Sequence, residues 1–223
     1  MANILLLGPQ GAGKGTQGKL IAAEYGVPHV ATGDILRAAI AGGTELGLKV
    51  KPIYDAGQLV PDDIIIAMIA ERIIRPEAAN GFILDGFPRT VPQAEALDRM
   101  LGAQARQLDH VILMEVDEAA LVERIAGRFT CRKCGASYHE RFNPPAAAGL
   151  CDICGSADLV HRADDRPEAV ATRLEAYRNQ TAPILPYYRA RGILRPVDGM
   201  AEIDEVTRQI EAVLRDRKAA GRA

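Results

Sequence analysis

The sequence predicts an α/β protein whose core is a parallel β-sheet flanked by helices, with a small inserted domain. Short apolar runs alternate with segments of helical periodicity, which is the pattern of parallel strands joined by crossover helices. The first apolar run, residues 4–7, leads directly into a glycine-rich turn, as expected for a buried parallel strand. Residues 128–165 break the alternation, because they combine four cysteines and a Pro-Pro pair with little helical periodicity.

Five strands are predicted from apolar runs bounded by turn residues. They cover residues 4–7, 27–31, 82–85, 111–116 and 193–197. Pro196 in the last run cannot donate to a sheet ladder, so this strand is predicted at an edge of the sheet.

In the first half of the chain, helices are predicted over residues 14–24, 33–41 and 64–74. Thr32 is expected to cap the second helix, since a threonine hydroxyl accepts hydrogen bonds from the free N–H groups at a helix start. Glycines are expected to break up the stretch 42–60 into short pieces.

In the second half, Asp165 has the position of an N-cap, with Pro167 in the first turn and Glu168 completing a capping box. A helix is therefore predicted to begin there. The last predicted helix, residues 203–214, has apolar residues at helical spacing, and the tail 215–223 is expected to fray.

The composition is that of a folded protein, with 48% hydrophobic and 25% charged residues, which excludes a mostly disordered chain. A net charge of -2 speaks against a dedicated nucleic-acid binder. No apolar run approaches the roughly 20 residues of a membrane span, and the start of the chain lacks a signal-peptide pattern. We therefore expect a cytoplasmic protein without a membrane or nucleic-acid partner.

The basic residues are mostly arginine, with 21 Arg against 6 Lys. This excess fits anionic ligands, although codon bias gives the same skew.

Residues 8–16, GPQGAGKGT, have the spacing of a phosphate-binding loop, with two glycines separated by four residues and then a lysine. The glycines let backbone N–H groups converge on an anion, the helix start adds positive potential, and Lys14 adds a full charge. Gly15 stands where the general motif has Ser or Thr, so direct coordination of Mg²⁺ by a hydroxyl is not expected there.

The four cysteines form two Cys-x-x-Cys pairs separated by sixteen residues, a strong structural-zinc pattern. Four thiolates close a tetrahedron, so a catalytic zinc with an open position is not expected. Two alternatives stay open at this point: unligated thiols, and a zinc ribbon that binds nucleic acid. The predicted zinc ligands are Cys131, Cys134, Cys151 and Cys154.

Two further segments, TGDILR at residues 32–37 and LDGFPRT at 84–90, resemble the signature segments of adenylate kinases. The resemblance covers nearly the whole chain, and the DGFPR segment is specific to nucleoside monophosphate kinases. The cysteine-bearing insertion resembles the lid of the long, zinc-containing members. In the phosphate loop, Pro9-Gln10 departs mildly from the commoner order, in which Pro directly precedes Gly11.

The resemblance implies a P-loop core of five parallel strands with a helical segment that binds the nucleoside monophosphate (NMP) and an inserted zinc-containing lid. In this chain the core would comprise residues 1–31, 61–127 and 166–223, the NMP-binding segment 32–60 and the lid 128–165. The implied reaction is the reversible, Mg²⁺-dependent transfer of the terminal phosphoryl group of ATP to AMP. It gives two ADP, with the lid closing over the site of a monomeric protein.

The resemblance also implies site residues. Asp85 would hold Mg²⁺ through water, Arg37 and Arg89 would clamp the AMP phosphate, and Arg128 would stack on the ATP adenine. The implied catalytic residues are Lys14, Asp85, Arg89, Arg128, Arg162 and Arg173. ATP would be bound by Gly11, Ala12, Gly13, Lys14, Gly15, Thr16, Arg128, Ser137, Tyr138 and Ala201. AMP would be bound by Thr32, Arg37, Gln58, Leu59, Val60, Gly86, Phe87, Pro88, Arg89, Gln93, Arg162 and Arg173.

The chemistry of this reaction explains why cations are needed. The attacking phosphate oxygen is already ionised, so catalysis consists mainly of positioning and charge neutralisation. Arg166 and Arg173 lie seven residues apart and are predicted on one helix face. The alternatives are a kinase for another nucleoside monophosphate and an ATP-binding zinc-ribbon module that holds nucleic acid.

Overall fold

The computed structural model describes residues 2–216. Its strands are β1 (Asn3–Leu7), β2 (His29–Ala31), β3 (Phe82–Asp85), β4 (His110–Glu115), β5 (Arg128–Cys131), β6 (Ser137–His139), β7 (Leu159–His161) and β8 (Leu194–Asp198). The core sheet has the order β2-β3-β1-β4-β8, and every pairing in it is parallel. The predicted five-stranded parallel sheet is confirmed, and the strand that contains Pro196 lies at its edge.

Helices connect and cover these strands. They are α1 (Lys14–Tyr25), α2 (Thr32–Ala41), α3 (Glu45–Asp55), α4 (Asp62–Ile73), α5 (Val91–Gly102), α6 (Glu118–Ala126), α7 (Pro167–Ala176), α8 (Leu185–Ala190) and α9 (Ile203–Arg215). A π-helical turn, Tyr177–Thr181, and a 3₁₀ turn, Ala182–Ile184, join α7 to α8. The predicted frayed tail lies almost entirely outside the described residues, since α9 continues to Arg215.

The core consists of two apolar layers on opposite faces of the sheet. Alternate residues of β1 enter different layers, with Leu5 and Leu7 in one and Ile4 and Leu6 in the other. Because the parallel strands all end at the same edge, the segments that follow β1, β2 and β3 meet there. This edge positions the candidate site.

Two of the predicted helix starts are wrong. Ala31 is the N-cap of α2, and the Thr32 hydroxyl instead donates to the backbone oxygens of Asp85 and Gly86, at 3.2 and 3.0 Å. Arg166, not Asp165, is the N-cap of α7, and no side chain caps that helix. Both polar side chains therefore serve long-range contacts in place of the predicted local ones.

The expectation that glycines break up residues 42–60 is also wrong, since α3 runs unbroken over 11 residues. Thr44 caps it by accepting a hydrogen bond from the Gly47 N–H at 3.1 Å. A Cβ atom at Gly47 would lie 2.1 Å from the carbonyl oxygen of Ala39, so this glycine permits close packing of α3 on α2.

The insertion forms a separate antiparallel sheet with the strand order β6-β5-β7. The sequence pattern did not predict these three short strands. Within the described residues, no helix has the length and apolar character needed to cross a membrane.

Candidate active site and metal centre

The phosphate loop lies between β1 and α1, at the carboxyl edge of the sheet. Gly8, Gly11 and Gly13 adopt φ values of 142°, 85° and 90°, in the region that favours glycine. Gly13 is the N-cap of α1 and has no side chain to occupy the N–H groups of the first turn. These N–H groups are therefore available to an anion.

Lys14 folds back over this loop. Its ammonium group donates to the carbonyl oxygens of Gly8 at 2.6 Å and Pro9 at 2.7 Å. Burial lowers the pKa of Lys14 to about 8, and the charges of Arg89 and Arg128 act in the same direction, whereas Asp85 opposes them. The lysine thus lies among further cations, as expected where phosphate groups bind.

Asp85 ends β3 directly beside the loop, where a Cβ atom on Gly15 would lie 3.6 Å from its Oδ2. The Nε2 atom of His29 lies 3.5 Å from the same oxygen. Burial alone would raise the pKa of the Asp85 carboxyl, but His29, Lys14 and Arg89 outweigh it and lower that pKa. A Cβ atom on Gly18 would lie 2.4 Å from the His29 ring, so glycine at this position makes room for the imidazole.

Arg89 and Gln93 form a second part of the site after β3. The Arg89 Nε donates to the Gly86 carbonyl at 2.8 Å, and the Arg89 backbone N–H donates to the Gln93 Oε1 at 2.7 Å. The Gln93 amide nitrogen donates to Asp62 at 2.6 Å. Burial, followed by the charge of Arg173, lowers the pKa of Arg89.

Arg37 and Arg173 converge on one carboxylate. Asp164 lies 2.8 Å from Arg173 and 3.8 Å from Arg37, and it is 2% exposed. Arg37 also pairs with Asp34 on its own helix. The structure therefore brings together predicted ligands from α2 and α7 through Asp164, which the sequence patterns did not identify.

Arg128 and Arg162 belong to the insertion, where Arg128 begins β5 and Arg162 follows β7. Arg128 forms a bidentate pair with Asp165, which also accepts a hydrogen bond from Gln10 of the phosphate loop at 2.8 Å. Arg162 donates to Thr130 at 2.7 Å and to Ser137 at 3.3 Å. Burial lowers the pKa of Arg162 to about 10, and the neighbouring Arg128 and Arg37 add to this effect.

The four cysteine Sγ atoms all lie within 4.8 Å of one another. The contacts Cys131–Cys154 and Cys134–Cys151 measure 3.6 and 3.5 Å. These values are close to the edge of about 3.8 Å in a tetrahedron whose zinc–sulfur bonds are about 2.3 Å long. The Tyr138 hydroxyl lies 3.3 Å from the Cys151 sulfur and lowers the pKa of that thiol, which favours a thiolate ligand.

A family model described as adenylate kinase matches residues 6–193. The chain belongs to the adenylate kinase family. Named adenylate kinases from Rhizorhabdus wittichii and Rhizobium etli are 53% and 52% identical to it, each over 95% of this chain and over 99% and 98% of the relative. Another, from Novosphingobium aromaticivorans, is 52% identical over 96% of this chain and all of the relative.

Within this adenylate kinase fold, the predicted site residues differ in exposure. Arg166 is exposed and precedes the first residue of α7. The prediction that it shares a helix face with Arg173 is therefore wrong. Gln58 is exposed, whereas Val60 is buried. The peptide bond between Phe87 and Pro88 is cis, and Phe87 is buried in the core.

Sequence reasoning missed one arginine beside the predicted ATP ligand Ala201. Arg124 on α6 donates to the carbonyl oxygens of Gly199 at 2.6 Å and Met200 at 3.3 Å. Its guanidinium carbon lies 5.8 Å from the centre of the Phe142 ring. No motif or spacing distinguishes Arg124 from an ordinary surface arginine of an amphipathic helix.

Proposed function

We propose that this chain transfers the terminal phosphoryl group of MgATP reversibly to AMP, giving two ADP. The observation that carries the proposal is the convergence of cations from separate elements at one cleft: Lys14, Arg37, Arg89, Arg128, Arg162 and Arg173. Both nucleotides and the transferred group are polyanions, so a cleft of this charge neutralises them and aligns the reacting oxygens. The names of the relatives support the same reaction.

On the ATP side, the loop Gly11–Thr16 would receive the phosphates on its backbone N–H groups, with Lys14 above them. Arg128 pairs with Asp165, which also accepts a hydrogen bond from Gln10 of the phosphate loop, so its guanidinium lies toward the phosphates rather than the base. Arg124, bound to the carbonyl oxygens of Gly199 and Met200 just before Ala201, and Phe142 beneath its guanidinium offer flat surfaces to an adenine ring. We therefore propose Arg124 in place of Arg128 as the residue that stacks on the ATP adenine.

On the AMP side, Arg37 and Arg89 would clamp the phosphate. Thr32, Gly86 and Gln93 lie in a connected group of hydrogen bonds that shapes the adjoining wall. The remaining proposed contacts to AMP are Gln58, Leu59, Val60, Phe87 and Pro88. Arg162 and Arg173 would face both nucleotides.

Residues 32–60 and 128–165 are the proposed mobile parts around the core 1–31, 61–127 and 166–223. Their closure would exclude water and so favour transfer to AMP over hydrolysis. All the cations proposed to bind the two nucleotides come from one chain, which supports a monomer.

Two metal ions fit the residues present. The Asp85 carboxylate, ionised beside the phosphate loop, suits a Mg²⁺ ion held through water, and that ion would neutralise phosphate charge. The four thiols suit a structural Zn²⁺ held by Cys131, Cys134, Cys151 and Cys154, with Ser137 and Tyr138 on the strand that the ion would support.

The test is a coupled kinase assay of the purified chain with ATP and each of AMP, GMP, CMP and UMP, together with metal analysis of the same sample. We expect AMP-dependent ADP formation and one zinc ion per chain. Transfer to another monophosphate in preference to AMP would overturn the substrate. Oligonucleotide binding at physiological ionic strength without any transfer would favour the zinc-ribbon alternative.

A further inference from the structure

Tyr54 lies at the centre of the arginine cluster, although no motif marks it. It is located on α3, where its side chain is buried with 7% exposure. Its hydroxyl accepts a hydrogen bond from Arg37 at 2.6 Å and donates one to Asp164 at 3.0 Å. The phenol therefore bridges a cation of the NMP-binding segment and a carboxylate near α7.

The same residue contacts Arg173 in two ways. The Arg173 guanidinium carbon lies 4.8 Å from the centre of the Tyr54 ring, and one of its nitrogens donates to the Tyr54 carbonyl oxygen at 3.3 Å. A guanidinium over an aromatic face is held by the ring quadrupole and keeps its charge. Tyr54 thus contacts both arginines that converge on Asp164.

The geometry of the bridge has an electrostatic consequence. Arg37 and Asp164 are 3.8 Å apart, whereas both lie within hydrogen-bond distance of the phenol oxygen between them. A neutral hydroxyl fixes the direction of Arg37 without neutralising it. Arg37 already pairs with Asp34 through its other terminal nitrogen, so a direct pair with Asp164 in addition would occupy the donors that a phosphate needs.

We infer that Tyr54 is a positioning residue for the AMP phosphate, with its hydroxyl aligning Arg37 and its ring aligning Arg173. This inference rests on the proposed AMP site. Preformed arginine geometry lowers the entropy lost on binding, so losing the hydroxyl weakens AMP binding while ATP binding is unchanged.

The test compares Tyr54→Phe and Tyr54→Leu with the wild-type chain in steady-state kinetics and in calorimetric titration with AMP. Tyr54→Phe removes only the hydroxyl, and we expect the KM and Kd for AMP to rise by about 10-fold to 150-fold, the effect of one hydrogen bond to a charged group. The KM for ATP should stay within about 2-fold. Tyr54→Leu also removes the ring, so kcat should fall as well because Arg173 loses its support.

Two controls separate this inference from the proposed function. Tyr25→Phe, on α1 and outside the cluster, should behave like the wild type. Arg37→Ala should itself raise the KM for AMP, and adding Tyr54→Phe to it should have little further effect, because the hydroxyl acts through Arg37.

If Arg37→Ala leaves AMP binding unchanged, the proposed AMP clamp fails. If Arg37→Ala weakens AMP binding but Tyr54→Phe changes neither the KM nor the Kd for AMP, only the role of Tyr54 is overturned. The role is also overturned if Tyr54→Phe lowers the melting temperature without changing AMP affinity, or weakens ATP and AMP equally.

Discussion

The Asp164 carboxylate lies 2.8 Å from the Arg173 guanidinium in a position that is 2% exposed. Burial alone would raise the pKa of this carboxyl, but Arg173 and Arg37, with Arg162 and Arg128, lower it. In the free protein, Asp164 is therefore the anion that balances part of a cationic cleft.

Replacing Asp164 by Asn should destabilise the free protein and make it more responsive to anions. Arg173 and Arg37 lose their shared counter-charge, which costs about 3–5 kcal/mol in the free energy of unfolding. Pyrophosphate should then raise the melting temperature of the variant more than that of the wild type, because it supplies the missing charge. Asp158→Asn is the matched control, since its pair with Arg132 is exposed. A variant that melts like the wild type, with an equal pyrophosphate shift, would contradict this role.

The lowered pKa of Lys14 predicts an alkaline limit to activity. The lysine is protonated below about pH 8 in the free protein, so kcat/KM for ATP should fall as the pH rises through that value. Lys14→Arg stays charged, so its activity should not show this decrease at alkaline pH.

Lys14→Ala should lose activity by roughly 100-fold or more without unfolding. Replacing the exposed Lys49 by Ala should leave the activity unchanged. A pH–rate profile and a thermal melt on each variant check both statements, and a wild-type profile that is flat to pH 9.5 would refute the first.

His110 predicts a loss of stability in mild acid. It is 4% exposed at the start of β4, and burial lowers its pKa. The unfolded chain takes up a proton at this histidine near pH 6.5 while the folded chain does not. The stability from neutral His110 is therefore fully present above about pH 6.5 and is lost as the pH falls below it. The free energy of unfolding, measured with urea at pH 5 and pH 7.5, should differ less between the two pH values for His110→Leu than for the wild type. Replacing the exposed His161 by Leu should leave this difference as it is in the wild type. An equal difference in the two variants would disprove the assignment.

Tyr188 predicts a stabilising substitution. Its side chain is fully buried, and its hydroxyl finds no hydrogen-bond partner within residues 2–216. Tyr188→Phe removes an unsatisfied polar group and should raise the free energy of unfolding by about 0.5–2 kcal/mol. The adjacent Tyr187 donates a hydrogen bond to Asp98, so Tyr187→Phe should lower the free energy of unfolding. The two variants are compared by urea unfolding, and a destabilised Tyr188→Phe would indicate a hydrogen bond to water.

The cysteine cluster predicts a stability that depends on metal. Cys131→Ser removes one of four converging sulfur atoms, so zinc content and melting temperature should both fall. The transfer rate at low temperature should change less, because the sulfur atoms lie outside the arginine cluster. Calorimetric melts with and without a chelator, followed by zinc addition, provide the measurement. A melting temperature that changes with neither the chelator nor the added zinc would exclude a structural ion.

Several features of this protein were determined by local sequence alone. Short apolar runs predicted all five strands of the core sheet, and the spacing of Gly8, Gly13 and Lys14 predicted the phosphate loop. The cysteine spacing predicted the cluster. Each of these depends on residues close together in the chain, where periodicity and turn chemistry act directly.

Tertiary structure alone decided which polar side chains meet. Gly47 is a packing site rather than a helix breaker because α2 lies against it. Asp165 pairs with Arg128 and does not cap α7, because a guanidinium 37 residues away approaches its carboxylate. Tyr54 and Asp164 meet across 110 residues. Local patterns specify periodicity and caps, but which charges share one buried cleft depends on the packing of distant elements, and burial then makes those contacts strong.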